Sequence, residues 1–523
     1  MDLQNTALGI EFGSTRIKAV LIDSDHRVLA VGSHTWQNEL VDGVWTYSYE
    51  AILAGLQDAY AELKRAVEER FSQNLTSVGA IGISAMMHGY LPLDAAGRPL
   101  TAFRTWRNTM TSQASEVLTE AFSFRIPQRW TIAHLYQAIL NGEEHVKDIA
   151  RLTTLAGYIH WRLSGESAVG LGEASGIVPL DQTLLDYDQR MIDRFEAMIA
   201  CKNYPWTLQQ ILPRAVPAGQ QAGNLTKEGA LLLDPSGTLR PGIPLCPCEG
   251  DADTGMVATN SVREHTGNVS AGTSAFIMLV ADHPLGIHRE VDMLCTPSGK
   301  PVAMVHSSNC SSDLNAWVEV FYEFAGSLGY DKSKSDLYPL LFRKALEGDK
   351  DGGGLLSINY FSGEGVTGFN EGRPVFTRMP NANFTLANFM RTHLLSALST
   401  LKIGCEILSR SEDIPIDRIL GHGGLFKTPE VAQRILSAAL GVPVSVMETA
   451  GEGGAYGMAL LAAFMLWKGE GETLPDYLDN KVFADVKITT LMADEEDIAG
   501  FDRYIERYLK ALPLESSAID VLS

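Results

Sequence analysis

Apolar and polar positions alternate in short bursts over the first 35 residues. Ala7–Phe12 is an apolar run ended by Gly13-Ser14-Thr15, Ile17–Ile22 is a second ended by Asp23-Ser24-Asp25-His26, and Val28–Ser33 is a third. Apolar runs of this length, divided by turn residues, predict a β-meander. The period then lengthens. Ile52, Leu56, Ala59, Tyr60, Leu63 and Val67 fall on one face of a helix over 49–71, with Gln57, Glu62, Lys64, Arg65 and Glu69 on the other. Val78–Ser84 reads as a buried strand and Leu91–Leu93 as a short one. Strands, helix and strand in that order predict a layered α/β domain.

The segment from Ser115 to Gly165 is mainly helical in pattern, and Gly170–Pro247 is rich in loops and prolines. The opening pattern then returns as the strand Asn268–Ser270, the turn Gly272-Thr273-Ser274 and the strand Ala275–Val280. GIEFGSTRIKAVLI and GNVSAGTSAFIMLV read as two copies of one hairpin, one in each half. Such an internal repeat predicts two related domains. The last third predicts a helix over Leu386–Ser409 and a strand over Ile416–Leu420, followed by Gly421-His422-Gly423-Gly424. Thr428 then caps a helix with Pro429 in its first position and Gly441 at its end. A strand over Val442–Met447, an apolar helix over Ala455–Leu466 opened by Glu452-Gly453-Gly454, and an amphipathic helix over Glu496–Leu509 complete the pattern.

Size and charge narrow the reading. A chain of 523 residues exceeds the roughly 250–300 that one core serves, so two domains are expected. With 42 Lys and Arg against 63 Asp and Glu, the net charge is −21, and no basic footprint for nucleic acid or an anionic membrane is present. Six scattered cysteines, of which only Cys246 and Cys248 are close, form no metal-site spacing and suit a reducing compartment. Met1–Ala7 is polar and no apolar stretch is long enough to span a bilayer, so a soluble cytoplasmic protein is expected.

Several short motifs carry candidate chemistry. Turns of Gly, Ser and Thr expose consecutive backbone N–H groups, so Gly13-Ser14-Thr15 and Gly272-Thr273-Ser274 are candidates to cradle phosphate oxygens. Glu11, at the end of the first strand, suits Mg²⁺, which keeps several waters and takes few carboxylates. In Glu249-Gly250-Asp251-Ala252-Asp253, Asp251 is the candidate general base for an acceptor hydroxyl. Met86-Met87-His88-Gly89 ends a buried strand and suits the wall of a polyol pocket, and the glycines at 423–424 and 453–454 let a flat purine approach backbone. Each has a plainer reading beside it. Hairpins need glycine, a carboxylate at a helix start is a cap, a lone histidine is structural, and glycines punctuate strand-to-helix turns.

Taken in order, these motifs resemble the FGGY family of carbohydrate kinases, within the actin-like superfamily, from Ala7 to Leu466. Tyr360-Phe361-Ser362-Gly363-Glu364 is similar to a further family segment. The resemblance implies an α/β fold of two actin-like (ribonuclease H-like) domains facing each other across a nucleotide cleft. Residues 1–252 would bind sugar, 253–480 would bind nucleotide, and 481–523 would form a helical tail. It implies ATP and Mg²⁺ as cofactors, with Gly13, Ser14, Thr15, Gly272, Thr273 and Ser274 on the phosphates. Gly423, Gly424, Gly453 and Gly454 would serve the rest of the nucleotide, and Glu11 the metal. Trp45, Met87, His88, Trp106 and Asp251 would line the sugar site, with Asp251 as base. Within the family the likeness is to xylulose kinases, implying phosphorylation of D-xylulose at its 5-hydroxyl. Departures bear on the sugar. Glu11 stands where an Asp is usual, Ala252 where an Asn is common, and His134 where a Lys is usual. Ribulose, another ketose or glycerol remain alternatives, as do an actin-like ATPase with no sugar acceptor and a non-catalytic homologue. Assembly as a homodimer is left open.

Overall fold

In this computed structural model, residues 2–412, 414–447 and 453–522 are described. The chain divides into two units. The first comprises Met1–Arg263, Met293–Val302 and Glu452–Val486, and the second Glu264–Asp292, Ala303–Gly451 and Lys487–Ser523.

In the first unit the expected meander forms. Thr6–Phe12 pairs antiparallel with Arg16–Asp23, which pairs antiparallel with Val28–Thr35. Ala80–Ala85 lies parallel on the other side of the opening strand, and Glu249–Gly250 adds parallel to it at the edge. All six residues of Ala80–Ala85 are buried, which is why that strand reads as continuous rather than alternating apolar sequence. The helix Tyr49–Phe71, whose first turn is capped where the Ala51 N–H donates to Ser48 Oγ at 3.1 Å, packs on Val28–Thr35. The helix Gly454–Trp467 packs on Thr6–Phe12, on Ala80–Ala85 and on the helix Asp251–Ala258. Surrounded in this way, it is apolar on every face. Close approach requires Gly9, where a Cβ would stand 2.2 Å from the Ala455 carbonyl oxygen.

The second unit repeats the plan. Its sheet runs Pro301–Ser307, Ala275–Val280, Thr266–Ala271, Arg418–His422, Val444–Met447 and Ile488–Leu491. Thr266–Ala271 again has an antiparallel hairpin partner on one side, Ala275–Val280, and a parallel strand on the other, Arg418–His422. The hairpin repeat seen in sequence is therefore a repeat of sheet topology. The long helix Leu386–Ser411 is buried along most of its length. The closing helix Glu495–Val521 is tied to the unit by Asp497, which accepts from Lys350 at 2.8 Å and pairs with the buried Arg391.

Three expectations differ from the structure. The helix placed after Thr428 and Pro429 begins only at Val431, with Glu430 at its N-cap in a left-handed conformation (φ 71°), because a 3₁₀ turn over Gly424–Lys427 precedes it. The stretch 170–247 contains helices at Gln189–Ile199 and Lys227–Leu233. The division between units falls after Arg263 rather than after Ala252, since helix Asp251–Ala258 packs on Gly454–Trp467. Residues from Lys487 onward belong to the second unit through the antiparallel pairing of Ile488–Leu491 with Val444–Met447. All six cysteines are free thiols, and only Cys201 is exposed. Among the described residues no helix is long and apolar enough to cross a membrane.

Candidate functional site

The first unit brings Glu11, Asp251, Met87 and Gly454 together. Asp251 opens the helix Asp251–Ala258, directly after the edge strand Glu249–Gly250. Its Oδ1 accepts the Met87 N–H at 3.2 Å, which fixes the carboxylate against the end of Ala80–Ala85. Glu11 ends the opening strand, and its Oε2 accepts the Ala455 N–H at 3.2 Å, at the start of the helix Gly454–Trp467. The positive end of that helix favours the anion. A Cβ on Gly454 would lie 2.2 Å from Glu11 Oε1, so glycine is needed for the carboxylate to sit there. Gly454, expected on the nucleotide, is thus placed against Glu11. Gly451 and Glu452, which precede it, lie outside the described residues.

Glu11 and Asp251 keep part of their surface open. Burial of the carboxyl, then repulsion from Asp251, pushes Glu11 up to about 7, against the pull of the Ala455 N–H and Lys18. Burial likewise raises Asp251 to about 6, against the Met87 and Ala252 N–H groups. Two carboxyls that repel each other in this way fit a divalent cation. Among the described residues no group of three or more His, Cys, Asp or Glu could enclose a metal ion. Mg²⁺ takes few carboxylates and keeps several waters, so a pair of this kind would suffice to hold it.

Sequence reasoning missed what lies behind Asp251. Glu173, Glu249 and Asp253 are sealed, at 1 %, 1 % and 0 % exposure. Glu249 Oε2 accepts the Glu173 N–H at 2.8 Å, and Asp253 makes no side-chain cap, since the N-cap position is Gly250. Burial pushes Glu173 up to about 8 and raises Glu249 and Asp253 as well, each further raised by neighbouring carboxyls. Asp251 is the carboxyl of this group that keeps part of its surface open. The acidic run marks Glu249 and Asp253, but no local signal adds Glu173, which meets Glu249 only through the fold.

The remaining residues expected to line a sugar site are tied into neighbouring segments. His88, at φ 70°, stacks on Trp130 with centroids 6.1 Å apart. Two residues on, Tyr90 exchanges backbone hydrogen bonds with Arg104. The adjoining turn Thr105–Asn108 is stapled to Trp45: Asn108 Oδ1 accepts the Trp45 N–H at 2.9 Å and Asn108 Nδ2 donates to the Trp45 carbonyl at 2.8 Å. Arg107 lies over the Trp45 ring at 4.2 Å, and Trp106 Nε1 donates to Ser14 Oγ at 3.4 Å. His134, where a lysine is usual, is buried and lowered to about 3 by that burial, so it carries no charge.

The first glycine turn, 13–15, is held from below. Trp36 Nε1 donates to the Gly13 carbonyl at 2.7 Å and Tyr47 Oη to the Ser14 carbonyl at 2.6 Å. In the second unit, the turn 272–274 has its Gly272 and Thr273 carbonyls taken by the backbone N–H groups of Ser311 (3.1 Å) and Cys310 (3.0 Å). Asn309, between them and the strand before, bonds Glu364 Oε2 at 3.2 Å, and Ser307 Oγ bonds the same oxygen at 3.0 Å. Gly423 belongs to this second group. Its φ of 97° and the Ala271 carbonyl oxygen 2.6 Å from where its Cβ would stand both require glycine, while Gly424 faces open space. Two surface pockets, one beside Tyr187 and Arg214 and one beside Tyr49 and Tyr158, contain none of the predicted site residues.

Comparison with known proteins gives two family matches. The N-terminal domain of the FGGY family of carbohydrate kinases matches residues 6–258 and its C-terminal domain matches residues 267–466. The xylulose kinase of Escherichia coli (strain K12) is 23% identical over 381 residues, 68% of this chain and 69% of that one. A glycerol kinase of Saccharolobus islandicus (strain M.16.27) is 21% identical over 510 residues, 91% of this chain and 93% of its own. The ligand-bound xylulose kinase structure from Lactobacillus acidophilus shares the fold, with a TM-score of 0.81 at 16% identity, over 99% of this chain and all of that one.

Proposed function

The chain belongs to the FGGY family of carbohydrate kinases, and we propose that it moves the γ-phosphoryl group of ATP onto a ketose hydroxyl, D-xylulose at its 5-hydroxyl being the first acceptor to test. Asp251 carries this reading: an open carboxylate at a helix start, one oxygen anchored by the Met87 N–H. Phosphoryl transfer asks the protein mainly to orient the acceptor and take its proton. With its pKa raised to about 6, Asp251 is ionised at neutral pH and still basic enough for that step. Trp45, Met87, His88 and Trp106 orient the acceptor, and the N–H groups of the glycine turns receive phosphate oxygens. Glu11 would hold Mg²⁺, which when bound neutralises charge on the phosphates.

The likeness to xylulose kinase and the Met87–His88 strand end support the ketose. The likeness to glycerol kinase supports a smaller polyol as the second reading. ADP release with ATP and Mg²⁺, measured with and without a panel of ketoses and polyols, separates them. Turnover dependent on D-xylulose is expected. Turnover with glycerol alone selects the second reading, and acceptor-independent turnover removes the sugar kinase assignment in favour of an ATPase.

A further inference from the structure

We propose that Trp36 and Tyr47 are positioning residues that aim the backbone of the turn 13–15 at phosphate; the inference rests on the kinase reading of that turn. Three consecutive carbonyl oxygens are tied to one neighbouring segment: Gly13 to Trp36 Nε1 at 2.7 Å, Ser14 to Tyr47 Oη at 2.6 Å, and Thr15 to the Trp36 N–H at 3.2 Å. In a planar trans peptide the carbonyl and the next residue's N–H point in opposite directions. Holding the Gly13 and Ser14 carbonyls inward therefore turns the Ser14 and Thr15 N–H groups outward. Neither N–H makes a hydrogen bond among the described residues, and Ser14 is half-buried while Thr15 is exposed. Two adjacent, unbonded donors facing solvent form a concavity suited to an anion.

The two holders brace each other. Their rings stack with centroids 4.1 Å apart at 27°, and Phe12 meets Trp36 edge-on at 6.0 Å. Tyr47 remains a phenol through the working range, since burial pushes it up to about 12. Donors fixed before the reactant arrives cost no reorganisation when charge develops, which is the source of their effect.

The test is calorimetric binding of ATP and of AMP to the parent chain, to Trp36→Phe, to Tyr47→Phe and to the double variant, with thermal melts alongside. Both changes keep an aromatic ring and remove one donor. Losing an oxyanion donor outright costs about 10²–10³-fold, and losing its orientation is expected to forfeit about tenfold of the preference for ATP over AMP in the double variant. Each single change should lie between, with AMP affinity unchanged. A double variant that keeps the parent's ATP-to-AMP ratio overturns the inference and leaves the kinase reading intact. Equal loss of ATP and AMP affinity also overturns it, assigning the two rings a purely structural role. A parent chain that binds ATP no more tightly than AMP removes the phosphate reading of the turn and this inference with it.

Discussion

The two glycine turns occupy the same place in the repeated hairpin and are held by different means. At 13–15 the carbonyls are taken by two aromatic side chains and a backbone N–H from one segment, Trp36–Tyr47. At 272–274 they are taken by the backbone N–H groups of Cys310 and Ser311, in a loop fastened by Asn309 and Glu364. The neighbours differ too. The first turn begins two residues after Glu11, in the unit that also holds Asp251, whereas the second lies beside Gly423 and Ala271. In both turns two consecutive carbonyls are held, and the supports differ. What is common to both is the holding of the carbonyls, and what is particular to the first is its place beside the carboxyls of Glu11 and Asp251.

The largest effect should come from the particular part. Asp251→Asn is expected to lower kcat by ~10²–10⁴, the usual worth of a general base, with ATP affinity little changed. In the parent, kcat/KM should rise as pH increases through about 6 and about 7, where Asp251 and then Glu11 lose their protons, and then level. Activity of the Asn variant within a few-fold of the parent would dissolve the contrast between the turns. A smaller effect should follow from loosening the second support. Glu364 is sealed, raised to about 7 by burial, and accepts from Ser307 and Asn309. Glu364→Ala removes the oxygen that Ser307 and Asn309 share and leaves them only the Asn309, Ser362 and Gly363 carbonyls, at about 1 kcal/mol for the lost hydrogen bond. It should lower Tm and raise the KM for ATP several-fold while sparing the acceptor KM, whereas Glu364→Gln, which keeps an acceptor oxygen, should do neither.

The smallest effect on rate is expected at the sealed carboxyls of the first unit, and it should appear in stability instead. Glu173 rises from 4.5 to about 8 on folding, so the folded state holds a proton that the unfolded chain releases. Its contribution is complete below about 4.5 and is lost as pH rises toward about 8. Glu173→Gln should therefore gain Tm on the parent progressively across that window. Melting curves of the two chains at several pH values check this, and a constant difference would show that Glu173 is ionised in the fold.

What could be read in the sequence was local. A strand, a Gly-Ser/Thr turn and a returning strand sit within 14 residues, and Glu11 and Asp251 stand out as carboxylates at element ends. The holders of the turns could not be found that way. Trp36 lies 23 residues from Gly13, and the link from Asn309 to Glu364 spans 55 residues. Thr428 and Pro429 misled because a cap-like pair marks a helix start only where the preceding chain is free, and here the 3₁₀ turn Gly424–Lys427 comes first. The unit boundary depended on packing between Asp251–Ala258 and Gly454–Trp467, elements some two hundred positions apart.

Because five of the six thiols are buried and only Cys201 meets solvent, the chain carries its own clock for opening. Cys246, Cys248 and Cys295 belong to the first unit and Cys310 and Cys405 to the second, and burial pushes all five well above the usual thiol range. An alkylating reagent consumes Cys201 at once and then waits on the protein, so the order in which the other five are labelled records which unit lets go first.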